Sequence, residues 1–332
     1  MKNTFFFVAL LFLVACSETK PNQVKDQSKA EFSKLDSLNE LIRDKPNELS
    51  LFLERAKISR DSLDLNSAYQ DIDIVIGMDS SNAMAYLLKA QFLFDEGKIK
   101  TSHTAVTKSL SLDDNSIEGY TLLSKIYLLV KNHEESILAA DEVLKRDLYN
   151  AQAYYLKGFN FKEAGDTTKA VSSFLTATEQ DPDYYEAWME LGMLFGLTRH
   201  PNTEFYYDNA LRIQTESTEA LYNQALFFQE AGKEEDAIQN YRLMNALDST
   251  DYRPFYNIAY VFLVKKEQYD SAGYYFQESL KLNGENPDAY YNLGLSQELE
   301  GNMSEAINSY RKALEVLPNH DLAARALQRI MG

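Results

Sequence analysis

Apolar positions in this chain recur with two periods at once. Within short stretches they fall three, four and seven residues apart, the spacing that lines one face of an α-helix. Over longer distances the whole pattern returns about every 34 residues. Aligned on the last copy, eight units tile the chain: 49–82, 83–116, 117–150, 151–184, 185–217, 218–251, 252–286 and 287–320. One unit lacks a residue around Arg199-His200-Pro201, and one gains a residue near Lys265-Lys266. The fourth position of each unit is large: Phe52, Tyr86, Tyr120, Tyr154, Trp188, Leu221, Phe255 and Tyr290. The eighth is small: Ala56, Ala90, Ser124, Gly158, Gly192, Ala225, Ala259 and Gly294. A second small residue follows (Ala68, Ser102, Ser136, Ala170, Thr203, Ala237, Ala272, Ala306), and four residues on there is usually a larger one (Ile72, Val106, Ala140, Phe174, Tyr207, Tyr241, Phe276, Tyr310). A glycine or short polar break separates the halves, as at Gly97, Gly165, Gly232 and Gly301, closing one helix and turning the chain. The pattern predicts two antiparallel helices per unit and an all-α fold without strands. Small residues stand where the axes approach, and large ones fill the space between them.

One such hairpin cannot bury its apolar face alone, whereas stacked neighbours bury a continuous core. The ends of a stack need covers. Phe32, Leu35, Leu38, Leu41 and Ile42 predict a capping helix within 31–48, stopped near Pro46. A second cap is expected over 321–332, with Leu327 and Ile330 packing back.

The units resemble the tetratricopeptide repeat (TPR). The clearest copies are AYYNLGLSQELEGNMSEAINSYRKALEVLP, from Ala289 to Pro318, and AYYLKGFNFKEAGDTTKAVSSFLTATEQDP, from Ala153 to Pro182. The likeness covers 49–320. The unit at 185–217 departs by replacing its mid-turn glycine with RHPN, and several units lack the terminal proline. The resemblance implies a TPR α-solenoid, a right-handed superhelix whose concave groove is lined by the first helix of each unit. It also implies that the fifth, sixth and ninth positions of that helix are among those facing the groove.

Carried onto this chain, the fifth position gives Leu53, Leu87, Thr121, Tyr155, Met189, Tyr222, Tyr256 and Tyr291. The ninth gives Lys57, Gln91, Lys125, Phe159, Met193, Leu226, Tyr260 and Leu295. From the fourth unit onward both rows are apolar or aromatic, the usual composition of a partner surface. The sixth position ends in Asn223, Asn257 and Asn292. Each amide offers a donor and an acceptor, as an extended peptide backbone requires. A similar asparagine ladder holds peptide in the TPR domain of O-linked N-acetylglucosamine transferase; local hydrogen bonding is the alternative reason for these residues. TPR proteins that bind chaperone C-termini carry lysine at the fifth position, and this row has none.

The residues ahead of the repeats follow another pattern. MKNTFFFVALLFLVAC places Lys2 before an apolar run from Phe5 to Val14, too short to span a bilayer. Residues 1–15 therefore read as a signal peptide. Leu13-Val14-Ala15-Cys16 resembles the lipobox of bacterial lipoproteins, which implies cleavage before Cys16 and lipidation (palmitate) of that residue, the only cysteine in the chain. An ordinary cleaved signal that contains a cysteine is the alternative. Polar residues follow to Ala30, so 16–30 reads as a lipidated cysteine and flexible tether. Ser17 directly after the cysteine implies, by the same resemblance, outer-membrane anchoring in a bacterial envelope, periplasmic or surface-facing.

Composition narrows the partners. Fifty acidic residues against 33 basic ones give a net charge of −17, which repels phosphate backbones and argues against nucleic acid. Four histidines, His103, His133, His200 and His320, stand at unrelated repeat positions, and His133-Glu134-Glu135 is followed by Ser136-Ile137 rather than completing HExxH. No phosphate loop follows a strand pattern. No catalytic residue, metal or cofactor is expected, and the membrane is reached through the lipid alone. Two functions stay open: an adaptor holding a protein or peptide segment in the groove, for envelope assembly or export, and a structural scaffold binding through convex or end surfaces, self-association included.

Overall fold

The computed structural model describes residues 34–62 and 64–332. The signal segment, Cys16 and the tether lie outside the described residues. All regular structure among the described residues is helical. Two compact units divide the chain, 1–135 and 136–332. In unit 1, α1 (34–44) precedes α2 (Leu49–Asp61), α3 (Leu65–Met78), α4 (Ala83–Asp95), α5 (Ile99–Leu112) and α6 (Ile117–Leu129). Most of α7 (His133–Arg146) belongs to unit 2, followed by α8 (Ala151–Glu163), α9 (Thr167–Gln180), α10 (Tyr185–Leu197) and α11 (Thr203–Ile213). Then come α12 (Thr218–Ala231), α13 (Glu234–Leu247), α14 (Tyr252–Val264), α15 (Tyr269–Leu282), α16 (Pro287–Leu299), α17 (Met303–Val316) and α18 (Asp321–Met331).

The recurring positions explain the packing. The larger residue of each second helix is buried in every unit, from Ile72 to Tyr310. It lies over the small eighth position: a Cβ built on Gly158 would meet the Phe174 ring at 2.7 Å, and one on Gly192 the Tyr207 ring at 2.6 Å. At the ends, Leu38 of α1 packs with Leu51 and Ile58, while α18 sets Ala323, Ala326, Leu327 and Ile330 against α17.

Helix starts are written into the unit boundary. The last residue of a unit caps the next first helix: Asn82, Ser116, Asn150, Ser217 and Asn286 each accept a hydrogen bond from the backbone N–H three residues on. Just upstream, the side chains of Asp79, Asp113, Asp147, Asp181 and Asp248 accept from the N–H two residues later, closing the turn between units.

The turn inside seven of the eight units holds a left-handed residue. Gly97, Gly165, Gly232 and Gly301 supply it at φ between 73° and 91°. Where glycine is missing, Lys131 (φ 59°), Arg199 (φ 51°) and Glu267 (φ 52°) take the same conformation. The backbone thus keeps its path through RHPN, at a cost of about 1 kcal/mol per non-glycine residue. Lys131→Gly should therefore raise stability by about 0.5–1 kcal/mol, read as a higher urea midpoint with unchanged slope. A lower midpoint would show that the Lys131 side chain contributes more than its backbone loses.

Candidate functional site

The first helices of unit 2 carry the expected binding face. Successive first helices touch directly, α10 with α12 and α14 with α16. The ninth-position residues Phe159, Met193, Leu226, Tyr260 and Leu295 are all half-buried, so an apolar row runs along this face. Phe159 rests on the core around Trp188, and Tyr260 and Leu295 rest on the core around Tyr241. Met193 and Leu226 belong to neither cluster.

The fifth-position row sits deeper than the sequence suggests, which corrects the reading of several residues. Tyr155 and Met189 are buried and form the floor beneath the face, Tyr155 lying against Phe174 at 5.6 Å and Tyr184 at 5.3 Å between ring centres. Tyr222, Tyr256 and Tyr291 are half-buried, each with its ring against the second-helix aromatic of its own unit: Tyr241 at 6.3 Å, Phe276 at 5.5 Å and Tyr310 at 5.7 Å. Tyr256 therefore belongs partly to the core, and burial pushes its hydroxyl up to about 12. The physical reason is reach. A tyrosine one residue past the fourth position is long enough to lie over the neighbouring helix. In the first three units the same position holds buried Leu53, Leu87 and Thr121.

The asparagine row is likewise uneven. Asn223 and Asn257 are half-exposed. Asn292 is buried, and its Nδ2 donates to the Tyr256 hydroxyl at 2.9 Å, so its amide is committed inside the protein. Tyr256→Phe should leave that amide short of a partner and cost about 1 kcal/mol in chemical denaturation. A neutral result would show that the bond contributes nothing net.

A buried ion pair is the feature the sequence analysis passed over. Glu190, at the sixth position of its unit, is only 4% exposed, and Lys162 Nζ donates to both of its oxygens at 2.8 and 2.7 Å. Lys162 also lies over the Phe159 ring, 4.1 Å from its centre. Burial raises the Glu190 pKa, Lys162 offsets part of that, and Glu219 and Glu163 add to the rise. The signal was the sixth-position row, which after Glu54 reads Leu88, Leu122 and Leu156 and then returns to an acid at Glu190. A second cation, Arg253, lies 5.5 Å above the Tyr222 ring and is held by Asp251.

Among the described residues no group of three or more His, Cys, Asp or Glu side chains is placed to hold a metal ion, and no helix is long and apolar enough to cross a membrane. His320 Nδ1 accepts from the Ala323 N–H to cap α18, and its Nε2 meets Asp288 at 3.1 Å.

Comparison with known proteins gives a consistent answer. The tetratricopeptide repeat family matches residues 287–320 and, through a second form of the repeat, 160–195. The human Protein O-mannosyl-transferase TMTC1 is 28% identical over 136 residues, 40% of this chain and 15% of that protein. Type IV pilus assembly protein PilF of Pseudomonas aeruginosa is 31% identical over 140 residues, 41% of this chain and 54% of that one. The chain thus spans only a small part of the transferase and about half of the pilus protein. Among solved structures, the C-terminal part of a TPR repeat-containing protein from Cytophaga hutchinsonii aligns with a TM-score of 0.65 over 73% of this chain and 99% of that one, at 13% identity, a likeness of fold. Two segments thus match the tetratricopeptide repeat directly, and the paired helices with small-on-large packing recur in the other units, so the described residues form an all-α fold of tetratricopeptide-repeat type.

Proposed function

We propose that this protein is a non-catalytic scaffold that holds an extended segment of a partner protein along the first-helix face of unit 2. The observation that carries the reading is the ninth-position row. Five consecutive units each place a half-buried apolar side chain there, and Met193 and Leu226 gain no core cluster in return. Apolar surface left in register on one face is suited to a partner. Asn223 and Asn257 beside it offer amides to a peptide backbone. The similarity to O-mannosyl-transferases involves a small share of those proteins, so the proposal takes from them the repeat and not the reaction.

Anchoring belongs to the same proposal. The Leu13-Val14-Ala15-Cys16 stretch supports a lipid on Cys16 and a place in a bacterial envelope, with the outer membrane favoured by Ser17. Similarity to a protein named for type IV pilus assembly fits an envelope assembly role. Cys16→Ser should move the protein from the membrane fraction to the soluble one; unchanged fractionation removes the anchor from the proposal. A second reading draws on the exposed Phe205 and Tyr274 on second helices, which would serve a scaffold working through its outer surface or by self-association. The two readings separate on Leu226→Asp. Groove binding predicts that this change weakens partner binding by about 2 kcal/mol without lowering the melting temperature, whereas an outer-surface scaffold binds as before.

A further inference from the structure

The charges around the apolar row are unbalanced in one direction. Glu163 on α8, Glu186 and Glu190 on α10, and Glu219 on α12 stand on three successive first helices. Lys162 is the cation bound among them, and it is spent on Glu190. Glu163, Glu186 and Glu219 are exposed and enter no ion pair among the described residues. Glu186 and Glu219 share the second position of their units, and Glu163 follows the Lys162 that holds Glu190. In keeping with that placement, Glu163 and Glu219 bear on Glu190 while Glu186 and Glu219 bear on Tyr155.

Helix ends account for only part of this. Glu186 and Glu219 stand in first turns, where a carboxylate complements the helix dipole. Glu163 ends α8, where a carboxylate is unfavourable, and Glu190 lies buried in mid-helix. Neither is explained by the helix that carries it. The same surface already seats cations on aromatic rings, Lys162 over Phe159 and Arg253 over Tyr222, each tied to a carboxylate. In unit 1 the ninth-position row is Lys57, Gln91 and Lys125 instead, so the apolar and aromatic ninth-position row is confined to unit 2. An anionic segment laid on the row would bring like charge beside Glu163, Glu186 and Glu219, which no cation of this surface neutralises.

We infer that the segment held on this face is cationic, with lysine or arginine alternating with apolar residues, so that apolar side chains meet Phe159, Met193 and Leu226 while the basic ones meet Glu163, Glu186 and Glu219. The inference rests on the proposed first-helix binding face and names the chemistry of its partner.

Three fluorescein-labelled peptides of equal length test it by anisotropy against the full chain: alternating Lys-Leu, Ser-Leu and Glu-Leu. The expected order is Lys-Leu tightest by about tenfold over Ser-Leu, with Glu-Leu unbound, and the preference falling as salt rises. Glu163→Gln/Glu186→Gln/Glu219→Gln should reduce Lys-Leu binding to the Ser-Leu level. A control with equal charge loss elsewhere, Glu179→Gln/Glu285→Gln/Glu315→Gln, should leave it within about twofold. Equal binding of Lys-Leu and Ser-Leu overturns the cationic partner, and if Leu226→Asp still abolishes both, the groove reading stands without it. Equal losses in the two triple variants mean attraction to net charge alone and also overturn the inference. Lys-Leu binding that ignores Leu226→Asp sinks the groove reading itself.

Discussion

Gly294→Leu is expected to cost about 3 kcal/mol or more of stability. A Cβ on Gly294 would stand 2.7 Å from the Tyr310 ring and 3.2 Å from the Ala306 carbonyl oxygen. Neither neighbour can yield easily. Tyr310 is fully buried, its hydroxyl donates to Glu298 at 2.7 Å, and the carbonyl belongs to the α17 backbone. The added side chain must therefore separate α16 from α17, and with them the contact to the closing helix α18. Two further variants show that the clash itself is responsible. Tyr310→Leu alone should destabilise by opening a cavity, yet combined with Gly294→Ala it should cost less than the sum, because the smaller side chain admits the new methyl. Strict additivity in urea titrations would show that the two positions do not share this space.

Lys162→Met should be at least as damaging at neutral pH, costing about 3–5 kcal/mol, because it leaves the buried Glu190 carboxylate without its cation. The pH dependence gives this prediction its sign. Burial raises the Glu190 pKa above its ordinary value of 4.5, so the folded chain holds that proton more tightly than the unfolded chain does. Stability from this group is full below the unfolded value and is lost as pH rises through the raised one. Removing Lys162 raises the folded value further. The penalty of Lys162→Met should therefore be clearly larger at about pH 7.5 than at about pH 5. Lys162→Met/Glu190→Leu should recover most of the loss, since an apolar pair of similar volume can replace a buried ion pair. A penalty independent of pH would assign the loss to packing of the lysine stem on Phe159 instead.

The legible part of this fold is the part set by contact between nearby residues. The eighth-position glycines and alanines announce a close helix approach, and Phe174, Tyr207 and Tyr310 fill it as their spacing requires. The unit-final Asn and Ser residues act as helix caps for an equally local reason, although their helix-start signal went unread in the sequence. Less was legible where the outcome depends on side-chain reach across helices. Tyr155 and Tyr256 occupy positions that a repeat register assigns to an open face, and their rings fold back onto Phe174 and Phe276. The Lys162–Glu190 pair joins residues 28 apart in the chain, with no local pattern to mark it. The left-handed Arg199 was hidden because RHPN looks like a lost turn, whereas the surrounding packing holds the turn in place.

Site-specific photocrosslinking in cells tests the central claim most directly. A benzophenone amino acid would be placed singly at Met193 or Leu226 on the first-helix face, and at Glu179 or Lys312 on second helices. The first pair should each yield one discrete adduct with the same partner, and the second pair none. Adducts from Glu179 and Lys312 with silence at Met193 and Leu226 would contradict the claim and place binding on the outer surface.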